Sequence, residues 1–164
     1  MPEGIAPALV GAIATIITVV PTLLITVTAV RISDGQRQLE EKKAERELFE
    51  KFNKRFNKMN EDLNAIREGL YPESASRKAK NIAQDYLNLC SEEYLCYKRG
   101  LIKVDIWKVW LSGIEYYLCK EDACITKVFA EEMINAPESY YGLFECEKIT
   151  RKLAVAQKRK TEND

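Results

Sequence analysis

The chain has 164 residues, its 25 Lys and Arg are balanced by 25 Asp and Glu, and it contains no histidine. A balanced charge gives no long-range attraction to nucleic acid, so we expect no nucleic-acid partner. The lack of histidine removes the commonest general base and metal ligand, which excludes Ser-His and Cys-His dyads. We expect a protein that is not an enzyme and that holds no cofactor.

The first segment is uncharged from Gly4 to Val30, a run of 27 residues. A helix of this length measures about 40 Å, and a bilayer core of about 30 Å needs about 20 residues. A cleaved signal peptide has a basic start and an apolar stretch of only about 7–15 residues, which this run does not match. The sequence therefore predicts one transmembrane helix within residues 1–32, surrounded by membrane lipid.

The orientation of this helix follows from the basic residues on its two sides. All Lys and Arg lie after the run, whereas only Glu3 is charged before it. The positive-inside rule then predicts a single-pass protein of the cell (inner) membrane, with its N-terminus outside and its C-terminal part in the cytoplasm. Five cysteines, an odd number, all follow the run, which is typical of a reducing compartment.

One face of the predicted transmembrane helix is small or hydroxylated. Small residues let two helices approach closely, and threonine hydroxyls can bond across such a contact. Threonines can also satisfy their own helix backbone, which is the alternative interpretation. We expect this face to pack against another transmembrane helix, in a homo-oligomer or a larger membrane complex. The helix-packing residues are Ala8, Gly11, Thr15, Thr18, Thr22 and Ala29.

Residues 33–69 are predicted to form a charged juxtamembrane helix. Ser33 to Gln36 combines a turn signal with a capping box, which favours a break before a new helix from Gln36 to Glu68. The second half of this helix carries an apolar stripe with steps of three and four residues. The stripe either packs on its own domain or forms a coiled-coil seam in a dimer. Its residues are Phe49, Phe52, Phe56, Met59, Leu63 and Ile66.

Residues 70–157 are predicted to form a small cytoplasmic helical bundle, and residues 158–164 a disordered tail. Gly69 and Gly100 are placed to end helices, and no strand pattern of useful length occurs. The fold class is therefore all-α, with one transmembrane helix, a charged helical stalk and the bundle. The helices predicted within it run from Ser74 or Ser76 to Arg99, from Ile106 to Cys119 after an Asp105 cap, from Asp122 to Asn135, and from Glu138 to Gln157.

Residues capable of chemistry are few and poorly grouped. No two cysteines have the C-x2-C spacing of a zinc module, so we expect no metal. The carboxylate pairs Glu92-Glu93 and Glu131-Glu132 are adjacent in sequence, so their members point about 100° apart on a helix. Both pairs are predicted to lie on solvated faces.

Several short elements stand out between Glu47 and Leu118. They are Phe52-Asn53, Phe56-Asn57, Tyr86-Leu87-Asn88-Leu89, Tyr97-Lys98-Arg99-Gly100-Leu101-Ile102, Ile106-Trp107 and Trp110. With these elements the stretch resembles an uncharacterised family of small bacterial single-pass membrane proteins with a helical cytoplasmic domain. Ser91 occupies the position of a glutamate in that family, with Glu92 one residue further on. The resemblance implies an anchored helical domain of unknown function and supplies no catalytic residue.

The sequence favours an accessory subunit or adaptor that acts through helix–helix interactions. One alternative is a membrane-surface enzyme of unrecognised type, which would need a deep pocket near the tryptophans of the third helix. Another is a membrane effector that assembles through its transmembrane helix. The threonine-rich face is the feature that favours the last.

Overall fold

The longest element is α1 (Ile5–Glu68), which runs without a break through Ser33 to Gln36. The prediction of a helix break at these four residues is therefore wrong. One glycine inside a helix costs only about 1 kcal/mol relative to alanine. The Glu-, Lys- and Arg-rich sequence that follows Gly35 favours helix strongly enough to carry the helix through that position.

The structure, a computed structural model, describes the backbone of residues 5–72, 75–119 and 123–154, and side chains of those ranges from residue 28 onward. The side chains of residues 1–27, which make up most of the predicted transmembrane segment, lie outside this description. Where the structure does describe the chain, we find no helix whose length and apolar character would let it cross a membrane.

The chain divides into two units, Met1–Lys43 and Ala44–Asp164. In the first unit, every described side chain from residue 28 to residue 43 is exposed. Arg37 pairs there with Glu41 at 3.4 Å, one helical turn further on. Such pairs stabilise an exposed helix by only a few tenths of a kcal/mol, so this segment depends on its helix propensity.

In the second unit the described residues form helices joined by short turns, and the all-α prediction is confirmed there. This unit contains the C-terminal part of α1 and two short 3-10 helices. The helices predicted from Ile106 to Cys119 and from Asp122 to Asn135 are present as α3 (Val104–Tyr117) and α4 (Cys124–Asn135). The remaining elements are α2 (Ser76–Lys98), the 3-10 helices Pro137–Tyr140 and Leu143–Glu145, and α5 over residues 147–154.

A single helix from Glu138 to Gln157 was the expectation for the C-terminal segment, and this is wrong. Tyr141 and Gly142 have φ angles of 51° and 80°, both in the left-handed region, which a right-handed helix cannot continue through. The two residues form a tight turn between the 3-10 helices, and α5 begins only after it.

Both predicted glycine stops are present. Gly69 and Gly100 have φ angles of 74° and 70°, which residues with a side chain rarely adopt. At the end of α2, the amide of Leu101 donates to the carbonyl of Cys96 and the amide of Gly100 donates to Tyr97, both at 2.9 Å. This pattern is a Schellman motif, and it satisfies carbonyls that the helix end leaves free.

The predicted side-chain caps are replaced by other contacts. The N-cap residues of α2 and α3 are Ala75 and Lys103, and neither makes a capping hydrogen bond through its side chain. Asp105 lies inside the first turn of α3 instead. The backbone amide of Lys103 donates to Glu45 of α1 at 3.4 Å, and its ammonium pairs with the same carboxylate at 2.8 Å. Glu45 thus joins α1 to the start of α3.

Helix α2 is the centre of the second unit, because its buried residues form a broad face along its length. It contacts α3, α4 and both 3-10 helices. Its tyrosine Tyr86 meets the rings of Phe56, Tyr117 and Phe129, which belong to α1, α3 and α4 respectively. Aromatic contacts of this kind add about 0.5–1.5 kcal/mol each beyond area burial. One ring of α2 therefore connects all four long helices.

The apolar stripe of α1 packs inside its own domain. Phe52, Leu63 and Ile66 are buried in the common core, and Phe56 and Met59 are half-buried against it. Phe49 is more exposed and stacks on Trp110 at a centroid distance of 6.0 Å. The two tryptophans differ in the same way, since Trp107 is buried whereas Trp110 is half-buried.

We expect Leu63→Ala to lower the free energy of unfolding by about 2–5 kcal/mol, because Leu63 is fully buried and the truncation leaves a cavity. Leu70→Ala is the matched control, since Leu70 is 76% exposed and should change stability by less than about 0.5 kcal/mol. Chemical denaturation of the full-length chain, followed by circular dichroism, measures both. Equal effects would contradict the packing described for α1.

Candidate functional site

A polar recess of about 430 Å³ lies between α1, α2 and the turn after the first 3-10 helix. Ligand sites in proteins typically measure about 300–1,000 Å³, so this one has room for a small molecule. Cations come from α1, carboxylates and neutral polar groups from α2, Ser139 from the first 3-10 helix, and Tyr141 from the turn after it. The complete lining is Arg55, Lys58, Met59, Asp85, Asn88, Ser91, Glu92, Ser139 and Tyr141.

One pair of lining residues is locked together. The guanidinium of Arg55 donates two hydrogen bonds to the carboxylate of Glu92. The Nη1–Oε2 distance is 2.5 Å and the Nη2–Oε1 distance is 2.9 Å. These hydrogen bonds raise the pKa of Arg55 above its already high value, while partial burial opposes them. A bidentate arrangement fixes the relative position of the two side chains more firmly than a single contact does. The pair therefore forms a rigid wall between α1 and α2.

Two other charged residues of the lining are not paired in this way. Lys58 and Asp85 are exposed. Within the described part of the chain, neither of them forms a hydrogen bond or salt bridge. Asn88 is also exposed, and its carbonyl accepts a hydrogen bond from Ser91 Oγ at 2.8 Å. One cation, one carboxylate and one side-chain amide are thus available to a ligand.

The rim of the recess carries the one strained residue of the described backbone. Tyr141 is the only residue there, apart from glycines, with a positive φ. A left-handed conformation costs a residue with a side chain about 1–2 kcal/mol. Tyr141 is 53% exposed, so little packing compensates for that cost. Strained residues of this kind cluster at binding sites, where the strain holds a side chain in place.

A buried carboxyl group lies next to the recess. Glu93 is only 6% exposed, and no described residue forms a hydrogen bond to its carboxyl. Burial raises the pKa of Glu93 to about 8; the charge of Glu92 acts in the same direction, while that of Arg55 lowers it. The carboxyl is therefore mostly protonated at neutral pH.

The surroundings of Glu93 are two more buried titratable groups of α2. Cys90 and Tyr86 lie one and two turns earlier on the same face of the helix. Burial is the main cause that raises the pKa of the Cys90 thiol and of the Tyr86 hydroxyl well above their ordinary values. All three groups are therefore neutral near pH 7, which suits an apolar interior.

The prediction that both adjacent carboxylate pairs lie on solvated faces is wrong for Glu93, while Glu92 and Glu132 are half-buried. Glu93 is buried because α2 packs on several sides. Glu132 of α4 accepts hydrogen bonds from Gln84 at 3.2 Å and from Tyr140 at 2.8 Å. Partial burial, followed by the bond to Glu132, raises the pKa of Tyr140 to about 12. Glu132 thus connects α4 to α2 and to the first 3-10 helix.

A second surface of interest is the outer face of α3. Val109 is 70% exposed and Tyr116 is 49% exposed. Gly113 lies between them in the sequence, and a Cβ placed on it would meet nothing within 4 Å. With Ile106 these residues follow steps of three and four, so they form one stripe along the helix. We call this set the α3 stripe.

The helix-packing residues predicted for the transmembrane segment are not tested by these contacts. Ala8, Gly11, Thr15, Thr18 and Thr22 lie outside the residues whose side chains are described. Ala29 is described and exposed.

All five cysteines are free thiols. Cys90 is buried, Cys119 is exposed, and the other three are half-buried. In the described ranges we find no group of three or more potential metal ligands.

No family model, no curated protein sequence and no solved structure matches the chain. The resemblance of residues Glu47 to Leu118 to a family of small membrane proteins therefore stays a prediction.

We expect Glu93→Gln to flatten the pH dependence of stability. The folded-state pKa of about 8 lies above the ordinary value of 4.5, so the unfolded chain loses the Glu93 proton first. Stability from this group is complete below about pH 4.5 and is lost as the pH rises to about 8. By about pH 8 the variant should have gained up to about 5 kcal/mol relative to the parent, at about 1.4 kcal/mol per pKa unit.

Denaturant unfolding of the full-length chain at several pH values measures this difference. Glu61→Gln is the control, because Glu61 is exposed and its substitution should leave the pH profile unchanged. A parent-like slope in Glu93→Gln would show that Glu93 ionises normally.

We expect Tyr141→Asn to raise the free energy of unfolding by about 0.5–1 kcal/mol, because asparagine tolerates the left-handed conformation better than tyrosine. Tyr116→Asn is the comparison, because Tyr116 is similarly exposed but lies in right-handed α3, and its ring contacts Arg67 and Tyr117. That substitution should not stabilise the chain. Thermal unfolding of both variants checks the expectation. Destabilisation by Tyr141→Asn would mean that the tyrosine ring contributes packing that outweighs the strain.

Proposed function

We propose that this protein is a membrane-anchored helical adaptor or accessory subunit, with no catalysis of its own, that binds a helix of a partner protein. The observation that carries the proposal is the exposed α3 stripe, an apolar seam on a helix whose other face builds the core. Residues scattered singly on a surface need no explanation, but a seam with helical spacing is the pattern that helix-binding surfaces use.

The chemistry of the α3 stripe indicates what kind of partner would fit. Gly113 lets another backbone approach closely, and Val109 and Tyr116 provide apolar contacts on either side of it. An amphipathic helix with a bulky apolar residue facing Gly113 would bury all three. Lys108, on the same helix and exposed, would lie at the edge of such a contact and pair with an acidic residue of the partner.

The anchoring part of the proposal is supported by the sequence. The uncharged run from Gly4 to Val30 is long enough to cross a bilayer, and every Lys and Arg follows it. In this proposal the second unit faces the cytoplasm. The small and hydroxylated face of the run packs against another membrane helix.

Site-specific photo-crosslinking in native membranes tests the packing of the anchor. A photoreactive residue at Thr15, Thr18 or Thr22 should trap one discrete partner band, because that face would be in contact with another helix. The controls are Ile13 and Val20 on the opposite face, which should trap mainly lipid. Equal protein cross-linking from both faces would contradict a specific contact.

The same method applied at Val109 tests the α3 stripe. A photoreactive residue there should yield a discrete protein adduct, and an otherwise identical chain carrying Gly113→Leu should lose it, because the added side chain blocks close approach. Lys127, exposed on α4, is the control position. An adduct from Val109 that survives Gly113→Leu would reject the stripe as the contact surface.

A further inference from the structure

The geometry points to the polar recess between α1, α2 and the Tyr141 turn as a binding site for a small zwitterion, a molecule that carries one ammonium and one oxyanion a few bonds apart. Free α-amino acids and phosphoethanolamine share this chemistry. The inference is separate from the proposed adaptor role, because the recess shares no residue with the α3 stripe.

The charges of the lining carry the argument. The recess contains two cations and two carboxylates, so its formal charge is zero. Arg55 and Glu92 neutralise each other through two hydrogen bonds. Lys58 and Asp85 remain, one on each wall. A ligand with both charges would pair with both residues at once and leave the rigid Arg55–Glu92 wall intact.

Ligands of a single charge fit the recess less well. A simple anion attracted to Lys58 would also face the carboxylates of Asp85 and Glu92. A simple cation attracted to Asp85 would face Lys58 and Arg55. Like charges that line one recess oppose the binding of such an ion, and a ligand with both charges meets a partner of opposite sign for each of them. The lining therefore selects for a molecule with both charges rather than for net charge.

The uncharged groups around the recess complete the recognition. Asn88 and Ser139 offer donors and acceptors for a polar ligand body, and Met59 offers an apolar contact. Tyr141 stands at the rim in its left-handed conformation, which limits the positions that its ring can occupy. A site with its donors and walls already placed loses less conformational freedom on binding.

Isothermal titration calorimetry of the full-length chain in mild detergent tests the inference. The probes are L-alanine and L-serine for the amino-acid class, and phosphoethanolamine for the headgroup class. Propionate and ethylamine carry the single charges. We expect saturable binding of at least one zwitterion and no saturable binding of propionate or ethylamine. The zwitterion that binds identifies the source of the ligand.

Two substitutions assign the binding to the recess. Lys58→Gln and Asp85→Asn should each weaken the zwitterion by at least about tenfold, since each removes one charge-assisted contact. Both residues are exposed and lack bonding partners in the described structure, so the variants should fold normally. Lys108→Gln and Asp105→Asn on α3 remove the same charges outside the recess and should leave the affinity unchanged.

Three results would overturn the inference. The first is that none of the zwitterions binds. The second is that propionate or ethylamine binds as tightly as the zwitterion. The third is that the Lys58 and Asp85 variants retain parental affinity.

Discussion

The structure of the second unit depends on the burial of α2. The buried residues of this helix, from Ala79 and Ala83 through Leu87 to Tyr94, form a broad face that has to be covered by several other helices. α1, α3 and α4 each bring an aromatic ring to Tyr86. These three helices are therefore placed around the face that α2 has to bury.

Burial of α2 also separates the surroundings of its two adjacent glutamates. Glu92 and Glu93 differ by about 100° around the helix axis. Glu92 reaches the surface and pairs with Arg55, whereas Glu93 lies inside, where burial raises its pKa to about 8. The paired glutamate forms a wall of the recess, and the neutral one fills space behind it. Identical residue types thus take opposite roles because of their angle on one helix.

Much of the fold follows from sequence patterns, because those patterns are local. The stops at Gly69 and Gly100 require only that glycine tolerates a positive φ. The burial of Leu63 and Ile66 follows from steps of three and four along α1. The stripe of α1 could pack in its own domain or against a second copy of the chain. The structure was needed to choose between them, because both arrangements bury the same residues.

The recess was not predictable in the same way, because its lining comes from three separate stretches of sequence. A signal for Glu93 did exist, since it lies three residues after Cys90 and seven after Tyr86, on the same face of a helix as these two residues. The Tyr141–Gly142 turn gave a weaker signal. Gly142 is a normal turn residue, but tyrosine is unusual in a left-handed conformation. Sequence preference and structure disagree at that point.

The two residues that break sequence expectations, Glu93 and Tyr141, both lie at the polar recess. Tyr141 lines the recess, and Glu93 interacts electrostatically with Arg55 and Glu92, which also line it. Each of the two residues makes the fold less stable than a simple replacement would, one through backbone strain and one through burial of a carboxyl group. Sequences that are otherwise consistent with their fold tend to break local rules where a site requires it. The coincidence of two such costs beside one polar recess is the physical argument for treating that recess, rather than the aromatic core, as the place where this domain meets a small ligand.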